Sequence, residues 1–468
     1  MRPEILKIYQ RLPYNMRSAA ASLWGHHLRS WRYGTETEKL VEEALARESW
    51  SHDQWQKWQQ SRLLEVLRQA VTYVPHYRDY WMKRKNRGDN ESWEKLENWP
   101  VLSKEEVRKT PKAFVADTAW KFPLYKESTS GSTGTPLTLW ASRKTIRNWY
   151  ALFEARWRRW YGVSLDDRWG ILGGQLVVSA DSKTPPFWVW NHALYQLYLS
   201  AYHLSPKSVP SYVEAIRQYK LQYLLGYTSS LDTLAAIILE EGLKPPALKV
   251  VITNAEPVYE YQRRRIENAF QCPVRETYGM SEKVAGASEC GHGTLHLWPE
   301  AGLIEVLEGN QPALSGQTGD FVCTGLINPD MPLIRYKLGD RGAVSRKNCK
   351  CGVTLPVLSF VEGRSEDVLV TPEGRFVGRM DPVFKGNFPI QEAQIIQESV
   401  DEVRVLVVPA KNFTQSVSDE IAVRVRERMG KVSVKVEKVE GIPRSANGKF
   451  RAVISRISAS NLPSSGAV

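Results

Sequence analysis

The chain has 468 residues, of which 42% are hydrophobic and 24% are charged, and its 63 basic and 51 acidic side chains give a net charge of +12. This length exceeds what one compact core accommodates, so we expect more than one domain. The basic residues are dispersed and form no dense arm, which argues against specific nucleic-acid binding. Five cysteines are too few for a disulfide scaffold, so we expect reduced thiols and a cytoplasmic protein.

The first hundred residues have the apolar spacing of helices. In the segment from Ser51 to Pro75, apolar residues recur close to every 3.6 positions, and Pro75 is expected to end the helix. The N-terminus carries Arg2, Glu4 and Lys7 without the apolar core of a signal peptide. The early segment LPYNMRSAAASLWGHHLRSW is interpreted as a packed helix, with a peripheral membrane contact as the alternative.

Residues Thr184–Pro206 carry no formal charge and are long enough to cross a bilayer. Polar residues interrupt the segment, and aromatic residues rather than leucine or isoleucine dominate it. We therefore interpret it as a buried helix and loop that line a core or a pocket, and we expect no membrane span.

Four short apolar segments then run into loops rich in Gly, Ser, Thr, Asn or Glu, with helix-like stretches between them: DRWGILGG, LQYLLGYTSS, LKVVITNAEPV and CPVRETYGMSE. This alternation is typical of an α/β sheet, in which ligands collect at the carboxyl ends of the strands. After residue 362 the pattern changes to strand, amphipathic helix and strand, which predicts a small α+β unit.

The stretch STSGSTGTPLTLW, from Ser128 to Trp140, has two interpretations. Its composition is that of a flexible linker, and no Gly-Lys-Ser/Thr closes it as in a Walker A loop. However, a strand-like segment follows at once, and a turn rich in Gly and hydroxyl groups between two strands can direct several donors at a phosphate. The second interpretation predicts an anion-binding loop.

Four later motifs favour the phosphate loop, and they occur in this order: TYGMSE at Thr277–Glu282, YKLGDRG at Tyr336–Gly342, VEGRSED at Val361–Asp367 and GIPRSANGKFR at Gly441–Arg451. Taken singly, the first motif is typical of a helix start capped by Ser281, the second and third are typical of plain turns, and the lysine of the last is typical of the protein surface. As a series, the chain resembles the adenylate-forming superfamily of acyl-CoA synthetases, luciferases and adenylation domains. VPHYRDYW, ITNAEPV and CKCG resemble its phenylacetate–CoA ligase-like branch, in particular the CapK-type group.

The resemblance implies a fold and a division into domains. We expect an α/β protein with a large N-terminal domain of packed α/β sheets plus a β-barrel-like part, residues 1–362, whose first hundred residues are helical. A small mobile α+β domain, residues 363–458, would act as a lid, and residues 459–468 would form a disordered tail.

The resemblance also assigns roles to residues. Lys449, Glu282 and Thr133 would be catalytic, and Glu282 would hold Mg²⁺. Tyr278 would pack near the adenine, Asp340 would bond the ribose hydroxyls with Arg364 nearby, and Asn254–Pro257 would flank the adenine or acyl site. The residues expected to bind the nucleotide are Thr129, Ser130, Gly131, Ser132, Gly134, Thr135, Ala255, Glu256, Pro257, Thr277, Tyr278, Gly279, Asp340 and Arg364.

The hinge motif departs from the family pattern. Glu366 stands where the first of two carboxylates, often Asp-Asp, is usual, so charge is kept but not side-chain length. The following VTPEGRFVG also differs from true phenylacetate ligases, which weakens phenylacetate as the substrate. The acyl pocket is expected to draw on Trp188–Tyr202, Gly226–Ser230 and the NAEP turn.

Cysteine and histidine residues form a candidate metal site. Cys290 and His296 together with Cys349 and Cys351 supply the four ligands of a closed structural zinc site, and the branch that the chain resembles has a comparable cluster. His292 is the competing ligand. Cys272 and Cys323 lie in apolar strand patterns and are expected in the core.

The implied reaction joins a small carboxylic acid to ATP and then passes the acyl group to a nucleophile, with coenzyme A as the expected co-substrate. An amine, a sugar hydroxyl or a carrier-protein thiol is the nearest alternative acceptor. A non-catalytic scaffold in polysaccharide biosynthesis is the more distant alternative. The sequence does not reveal the acid or the oligomeric state.

Overall fold

The computed structural model describes residues 8–128, 137–175, 177–179, 182–309, 311–345, 348–364, 369–372, 376–377, 380–384, 388–444 and 450–457.

The early part is helical, with α1 Tyr14–Arg32, α2 Thr37–Ala46, α3 His52–Tyr73, α4 Pro75–Asn86 and α5 Lys104–Lys109. Ser51 and Gln54 form a capping box that begins α3. Pro75 lies just after its end and occupies the first turn of α4, where its missing N–H is tolerated.

A β-hairpin follows these helices, formed by β1 Tyr125–Ser128 and β2 Thr138–Ala141. The two strands are antiparallel, and Ser128 pairs with Thr138. The connection between the paired ends contains the Gly, Ser and Thr run, most of which lies outside the described residues. The strand that the sequence predicted after this run is therefore present.

One sheet holds thirteen of the described strands. Its first part comprises β3 Trp169–Gly173, β4 Trp188–Asn191, β5 Gln196–Ser200, β6 Tyr223–Tyr227, β7 Val250–Asn254 and β8 Val274–Gly279. Strands β5, β3, β6, β7 and β8 are parallel neighbours in that order, and β4 is antiparallel on the outer edge. Four helices connect or cover these strands: α6 Arg143–Trp157, α7 Val209–Gln218, α8 Thr228–Glu240 and α9 Glu260–Phe270.

The second part of the sheet is antiparallel and continues from β8 through β9. It comprises β9 Gly286–Glu289, β10 Leu295–Leu297, β11 Gly302–Glu308, β12 Gln311–Pro312, β13 Gly319–Gly325, β14 Tyr336–Ser345 and β15 Val357–Arg364. Cys323 is fully buried in the core beneath these strands, and Cys272 is buried beside the parallel part, as expected from sequence.

The prediction of a helix within Thr184–Pro206 was wrong. The segment forms the antiparallel strands β4 and β5 with a tight turn between them. Alternating tryptophan, valine, tyrosine and leucine suit a pleated and largely buried surface better than a helix. The absence of charge reflects this burial.

The C-terminal part forms a separate small sheet. It contains β18 Ile390–Ser399, β19 Glu402–Pro409, β20 Ser433–Lys438 and β21 Val453–Ser455, with α10 Gln415–Met429 packed on it. Two short strands, β16 Leu369–Val370 and β17 Phe376–Val377, precede it. Ile395, Val405, Ile421 and Val425 are fully buried in its own hydrophobic core. Strand, helix and strand follow the order that the sequence predicted.

A buried arginine joins the early helices to the sheet. Arg156, on α6, has 0% of its side chain exposed and donates two hydrogen bonds to the carboxylate of Glu300, at 2.9 and 3.0 Å. It also donates to Glu48, at 3.0 Å, and to the carbonyl of Ala44 on α2. Because one guanidinium satisfies two carboxylates, its removal would leave both without their common partner.

We expect Arg156→Met to lower the free energy of unfolding by about 3–5 kcal/mol, the range for breaking a buried ion pair from one side. Urea denaturation followed by tryptophan fluorescence measures the change. Arg264→Met is the matched control, because the Arg264–Glu260 pair lies on an exposed face of α9, with 68% and 59% of the side chains exposed. The control should change stability by less than about 1 kcal/mol. Equal effects of the two variants would contradict the structural role of Arg156.

Candidate active site

The candidate site lies at the carboxyl ends of the parallel strands. Strand β8 ends at Gly279 and leads into the turn that carries Glu282, while β7 ends at Asn254 and leads into the NAEP turn. No helix begins at Ser281, so this segment is a turn and not a capped helix start. Parallel topology places these loops side by side at one edge of the sheet.

A cavity of about 1660 Å³ opens at this edge. Residues of five sequence motifs line it: the NAEP turn, the TYGMSE segment, the LGD segment, Val361 and Glu362 of VEGRSED, and Phe450 and Arg451 of the last motif. The lining includes Ala255, Glu256, Pro257, Thr277, Tyr278, Gly279, Glu282 and Asp340. Motifs nearly 200 positions apart along the chain thus border one space.

Tyr278 and Asp340 are joined directly. The hydroxyl of Tyr278 donates to Asp340 Oδ2 at 2.7 Å. Burial and the neighbouring Asp340 carboxylate raise the pKa of Tyr278 far above its usual value, so the phenol stays protonated and acts as a donor. In the backbone register, Asp340 on β14 pairs with Arg364 on β15. Asp340 therefore lies beside Arg364 in the backbone register, as the sequence interpretation expected, and its bond with Tyr278 is an addition from the structure.

Glu282 is nearly buried, with 8% of its side chain exposed. Its Oε1 accepts a hydrogen bond from the hydroxyl of Tyr336 at 3.3 Å and lies 3.9 Å from Nζ of Lys104. Oε2 of Glu282 has no hydrogen-bond partner among the described residues, and a carboxylate at the cavity wall is a suitable ligand for a hard cation. The sequence analysis assigned no role to Lys104, which lies at the start of the short helix α5.

The NAEP turn is held in a specific conformation. Ala255 has a φ of +63°, in the left-handed region that residues with a Cβ seldom adopt. Glu256 then accepts from the backbone N–H of Ser229 through Oε2, at 2.8 Å, and from that of Phe450 through Oε1, at 2.7 Å. Burial raises the pKa of Glu256 despite these bonds. This one carboxylate connects the sheet to the C-terminal part.

A second contact between the two parts involves Arg265 on α9. Its guanidinium donates to Asp232 at 3.0 Å and to the carbonyl of Ile390, at the start of β18, at 3.2 Å. Glu392 on β18 is paired with Arg444 and lies close enough to Asp232 to affect its ionisation. Ionisable groups of both signs, of which Asp232 is the most buried, therefore lie between the sheet and the C-terminal part.

The four predicted zinc ligands lie together. One donor atom from each of Cys290, His296, Cys349 and Cys351 lies within 4.8 Å of the others. Cys351 Sγ is 3.3 Å from His296 Nε2, and His296 Nδ1 is 3.2 Å from the carbonyl of Leu355, which fits the tautomer that leaves Nε2 free. His292 is exposed and is not a member of the cluster. Spacing in the sequence had left His292 and His296 as alternative metal ligands.

Burial opposes ionisation of the Cys349 thiol, but hydrogen bonds from the Thr294 side chain, from the Cys351 backbone and from His296 outweigh it and lower its pKa to about 6. A thiolate is the form of cysteine that binds a metal ion. The donor set of three sulfur atoms and one imidazole suits a tetrahedral zinc ion.

Comparison with known proteins agrees with this geometry. Residues 369–456 match the family model described as the CapK C-terminal domain. The protein CapK of Staphylococcus aureus is 26% identical over 372 residues, which cover 76% of this chain and 80% of CapK. The phenylacetate–coenzyme A ligase of Escherichia coli is 24% identical, over 69% of this chain and 74% of that enzyme.

The chain is a homologue of CapK and of the phenylacetate–coenzyme A ligases. Its fold is similar to that of a 2-hydroxyisobutyryl-CoA ligase in the postadenylation state, with a TM-score of 0.69 at 20% identity over 88% of this chain and 91% of that one. The TM-score against the same enzyme with CoA in the thioesterification state is 0.53. The predicted α/β fold and the resemblance to adenylate-forming ligases are thus confirmed.

Several predicted residues lie outside the described residues: Thr129 to Thr135, Glu366, Lys449, the side chain of Arg364 and the tail 459–468. Their roles remain predictions. The prediction that Trp188–Tyr202 contributes to the acyl pocket finds no support, because no residue of this segment is among those that line the cavity. Tyr227, from the GYTSS segment, does line it.

The early segment forms α1, which packs on β4 and α6 through a buried stripe that includes Leu28 and Trp31. Leu23 and Trp24 of the same helix are exposed. Among the helices that the structure describes, none has the length and apolar character needed to cross a bilayer.

Asp232 gives a pH-dependent prediction. Burial, together with the charge of Glu392, outweighs the attraction of Arg265 and raises its pKa from 3.8 to about 7. Because the pKa of Asp232 is higher in the folded than in the unfolded protein, protonation of this carboxyl group stabilises the folded state. This contribution is complete below about pH 4 and is lost as the pH rises towards 7. Relative to Asp232→Asn, the wild type should therefore lose up to about 1.4 kcal/mol per pH unit in this window.

Denaturation of both proteins between pH 4 and pH 8 measures this difference. Asp419→Asn, at an exposed site on α10, is the control and should leave the pH profile of the wild type unchanged. Parallel profiles for the wild type and Asp232→Asn would show that Asp232 titrates normally.

Proposed function

We propose that the chain is an AMP-forming ligase that activates a carboxylic acid with ATP and transfers the acyl group to coenzyme A. The observation that carries this proposal is the single cavity bordered by the NAEP, TYGMSE and LGD segments and by the residues after Lys449. Homology to phenylacetate–coenzyme A ligases and the fold of a 2-hydroxyisobutyryl-CoA ligase support the same reaction class. We expect the protein to act in the cytoplasm.

In the first half-reaction, a carboxylate oxygen of the acid attacks the α-phosphorus of ATP. The bond from that phosphorus to the pyrophosphate oxygen breaks, and pyrophosphate leaves. Donors of the loop Thr129–Thr135 would hold the phosphates, and the ammonium of Lys449 would lie against the carboxylate and the α-phosphate. Catalysis of this kind rests on charge stabilisation and positioning more than on proton transfer.

The nucleoside would lie between the NAEP turn and β14. We expect Tyr278 to border the adenine and Asp340 to accept hydrogen bonds from the ribose hydroxyls, with the Tyr278 hydroxyl fixing the carboxylate of Asp340. Glu282 would hold Mg²⁺ together with phosphate oxygens. The ion supplies positive charge that offsets the charge on the phosphate chain.

In the second half-reaction, the thiol of coenzyme A would release its proton to water and attack the acyl carbon. The bond from that carbon to the phosphate oxygen breaks, and AMP leaves with its electrons. The acceptor would enter after the C-terminal part rotates about the hinge at Glu366. In that rotation Glu256 would exchange its contact with the Phe450 N–H for another donor or for water. Binding of the acyl-adenylate would thus be coupled to the position of the lid.

We also propose that Cys290, His296, Cys349 and Cys351 bind a structural zinc ion. Cys290 precedes β10, His296 lies on it, and the two other cysteines precede β15, which pairs with β10. The ion would fasten the start of the strand that leads to the hinge. Its four protein ligands leave no open position for catalysis.

The direct test is acid-dependent exchange of labelled pyrophosphate into ATP, over a broad panel of carboxylic acids. Lys449→Ala should lower the rate at least about 100-fold, because it removes charge stabilisation in the transition state. Thr133→Ala combined with Gly134→Val should abolish exchange while the protein stays folded. Hydroxylamine trapping then reports the acyl-adenylate independently of the natural acceptor.

Lys411→Ala is the control for Lys449, since Lys411 is an exposed lysine of the same C-terminal part. It should retain wild-type exchange. No exchange with any acid, and no difference between Lys449→Ala and the wild type, would instead favour a non-catalytic scaffold. If the protein supports exchange but forms a product only with an amine or a carrier protein, and not with coenzyme A, the adenylation step would stand and only the proposed acceptor would be wrong.

For the zinc site, we expect purified protein to contain about one zinc ion per chain by elemental analysis. Cys351→Ser or His296→Ala should lose the ion and lower the unfolding temperature, because binding of the metal contributes to folding. His292→Ala should keep it, since this histidine lies outside the cluster. Loss of zinc from His292→Ala but not from His296→Ala would overturn the assigned ligand set.

A further inference from the structure

An arginine at the end of α1 lines the active-site cavity. The guanidinium carbon of Arg32 lies 4.5 Å from the ring centre of Tyr150, and in the part of the chain that the structure describes no carboxylate pairs with it. Desolvation disfavours its charge, but the surrounding tyrosines raise its pKa above the usual value, so Arg32 is a cation. A cation enclosed by aromatic rings without an anion is a costly arrangement.

Two hydroxyl groups lie beside this cation. Tyr125 on β1 and Tyr150 on α6 also line the cavity, and no hydrogen bond joins either hydroxyl to another described residue. Burial raises the pKa of both phenols, so they remain protonated and are able to donate. One guanidinium and two hydroxyl donors thus border the same space, all available to a ligand.

The nearby carboxylate is already neutralised. Glu127, two residues after Tyr125 on the same strand, lines the cavity and is paired with Lys283. Arg143 is a different case, because it stacks on Trp31 at 5.0 Å, is exposed and does not line the cavity. Arg32 is therefore distinguished from its neighbour by its access to the cavity.

An aromatic wall connects Arg32 with the end of β8. Trp149, Phe153 and Trp157 on α6 line the same cavity, one turn apart from one another. A Cβ placed on Gly279 would lie 3.7 Å from the ring of Trp157 and 3.8 Å from that of Trp149. The wall thus starts beside the residues proposed to bind the adenylate and leads along α6 towards Arg32 and Tyr150.

We propose that Arg32, Tyr125 and Tyr150 form a subsite for a second anionic group on the acid substrate, at the end remote from the carboxylate that is activated. The substrate class is then an acid with a flat or apolar middle and a terminal carboxylate, phosphate or phosphonate group. This proposal rests on the proposed function, because it assigns the acyl part of the same cavity. A neutral terminus would bind weakly here, because the N–H groups of the guanidinium and the two hydroxyl groups would be left without an anionic acceptor.

The test uses matched pairs of probe acids of increasing length: benzoate and terephthalate, phenylacetate and 1,4-phenylenediacetate, and cinnamate and 4-carboxycinnamate. 4-Phosphonobenzoate separates phosphate-like from carboxylate termini. Calorimetry measures binding to the wild type, Arg32→Gln, Tyr150→Phe and Arg143→Gln. In the best-bound pair, we expect the dianion to bind the wild type at least tenfold more tightly than the monoanion.

Arg32→Gln should reduce this preference to less than threefold and leave binding of the monoanion within about twofold of the wild type. Tyr150→Phe should reduce it in part, and Arg143→Gln should retain it. If the wild type prefers the dianion in no pair, or if Arg32→Gln weakens both members of a pair equally, the proposal is overturned.

Pyrophosphate exchange with the same pairs separates this proposal from the proposed function. A charge preference in binding without exchange would disprove ligase activity but keep the subsite. Exchange that is equally efficient with monoanions and dianions would keep the ligase and disprove the subsite.

Discussion

The pairing of β8 determines where everything else in the site lies. This strand is parallel to β7 on one side and antiparallel to β9 on the other, with Thr277 opposite Ser288. It is therefore the seam between the two halves of the large sheet. Its last residues, Tyr278 and Gly279, face the carboxyl end of the parallel half and the strands of the antiparallel half at once. From this position Tyr278 reaches Asp340 on β14, a strand of the antiparallel part.

The contact between the sheet and the C-terminal part includes several buried or half-buried polar groups, besides Tyr261 on α9, which packs against the C-terminal core. Glu256 bonds a backbone N–H of each part, and Arg265 bonds Asp232 on one side and the carbonyl of Ile390 on the other. Such contacts exchange readily with water, whereas a large apolar interface would not. These polar contacts suit the rotation of the C-terminal part that the proposed mechanism requires.

Much of the site was predictable because its chemistry is encoded in short segments. The strand, the turn and the carboxylate of Thr277–Glu282 are contiguous, and the C-terminal order of strand, helix and strand follows its local periodicity. By contrast, the subsite at Arg32 joins a helix end, a hairpin and a second helix that are neighbours only after folding. Spacing alone likewise did not distinguish His296 from His292. The helix predicted for the segment of β4 and β5 was wrong because its lack of charge reflects burial in a sheet and not a helix.

The ion pair of Glu127 with Lys283 has consequences for both substrates. It fastens the hairpin that precedes the Gly, Ser and Thr run to the residue next to Glu282, so it holds the proposed phosphate loop and the proposed metal ligand at a constant separation. It also neutralises Glu127 within the cavity that Arg32 lines. Lys283 would thus affect both the position of the nucleotide and the electrostatic potential that the acid encounters in the cavity. A substitution of Lys283 would therefore affect the proposed nucleotide site and the proposed acid subsite together.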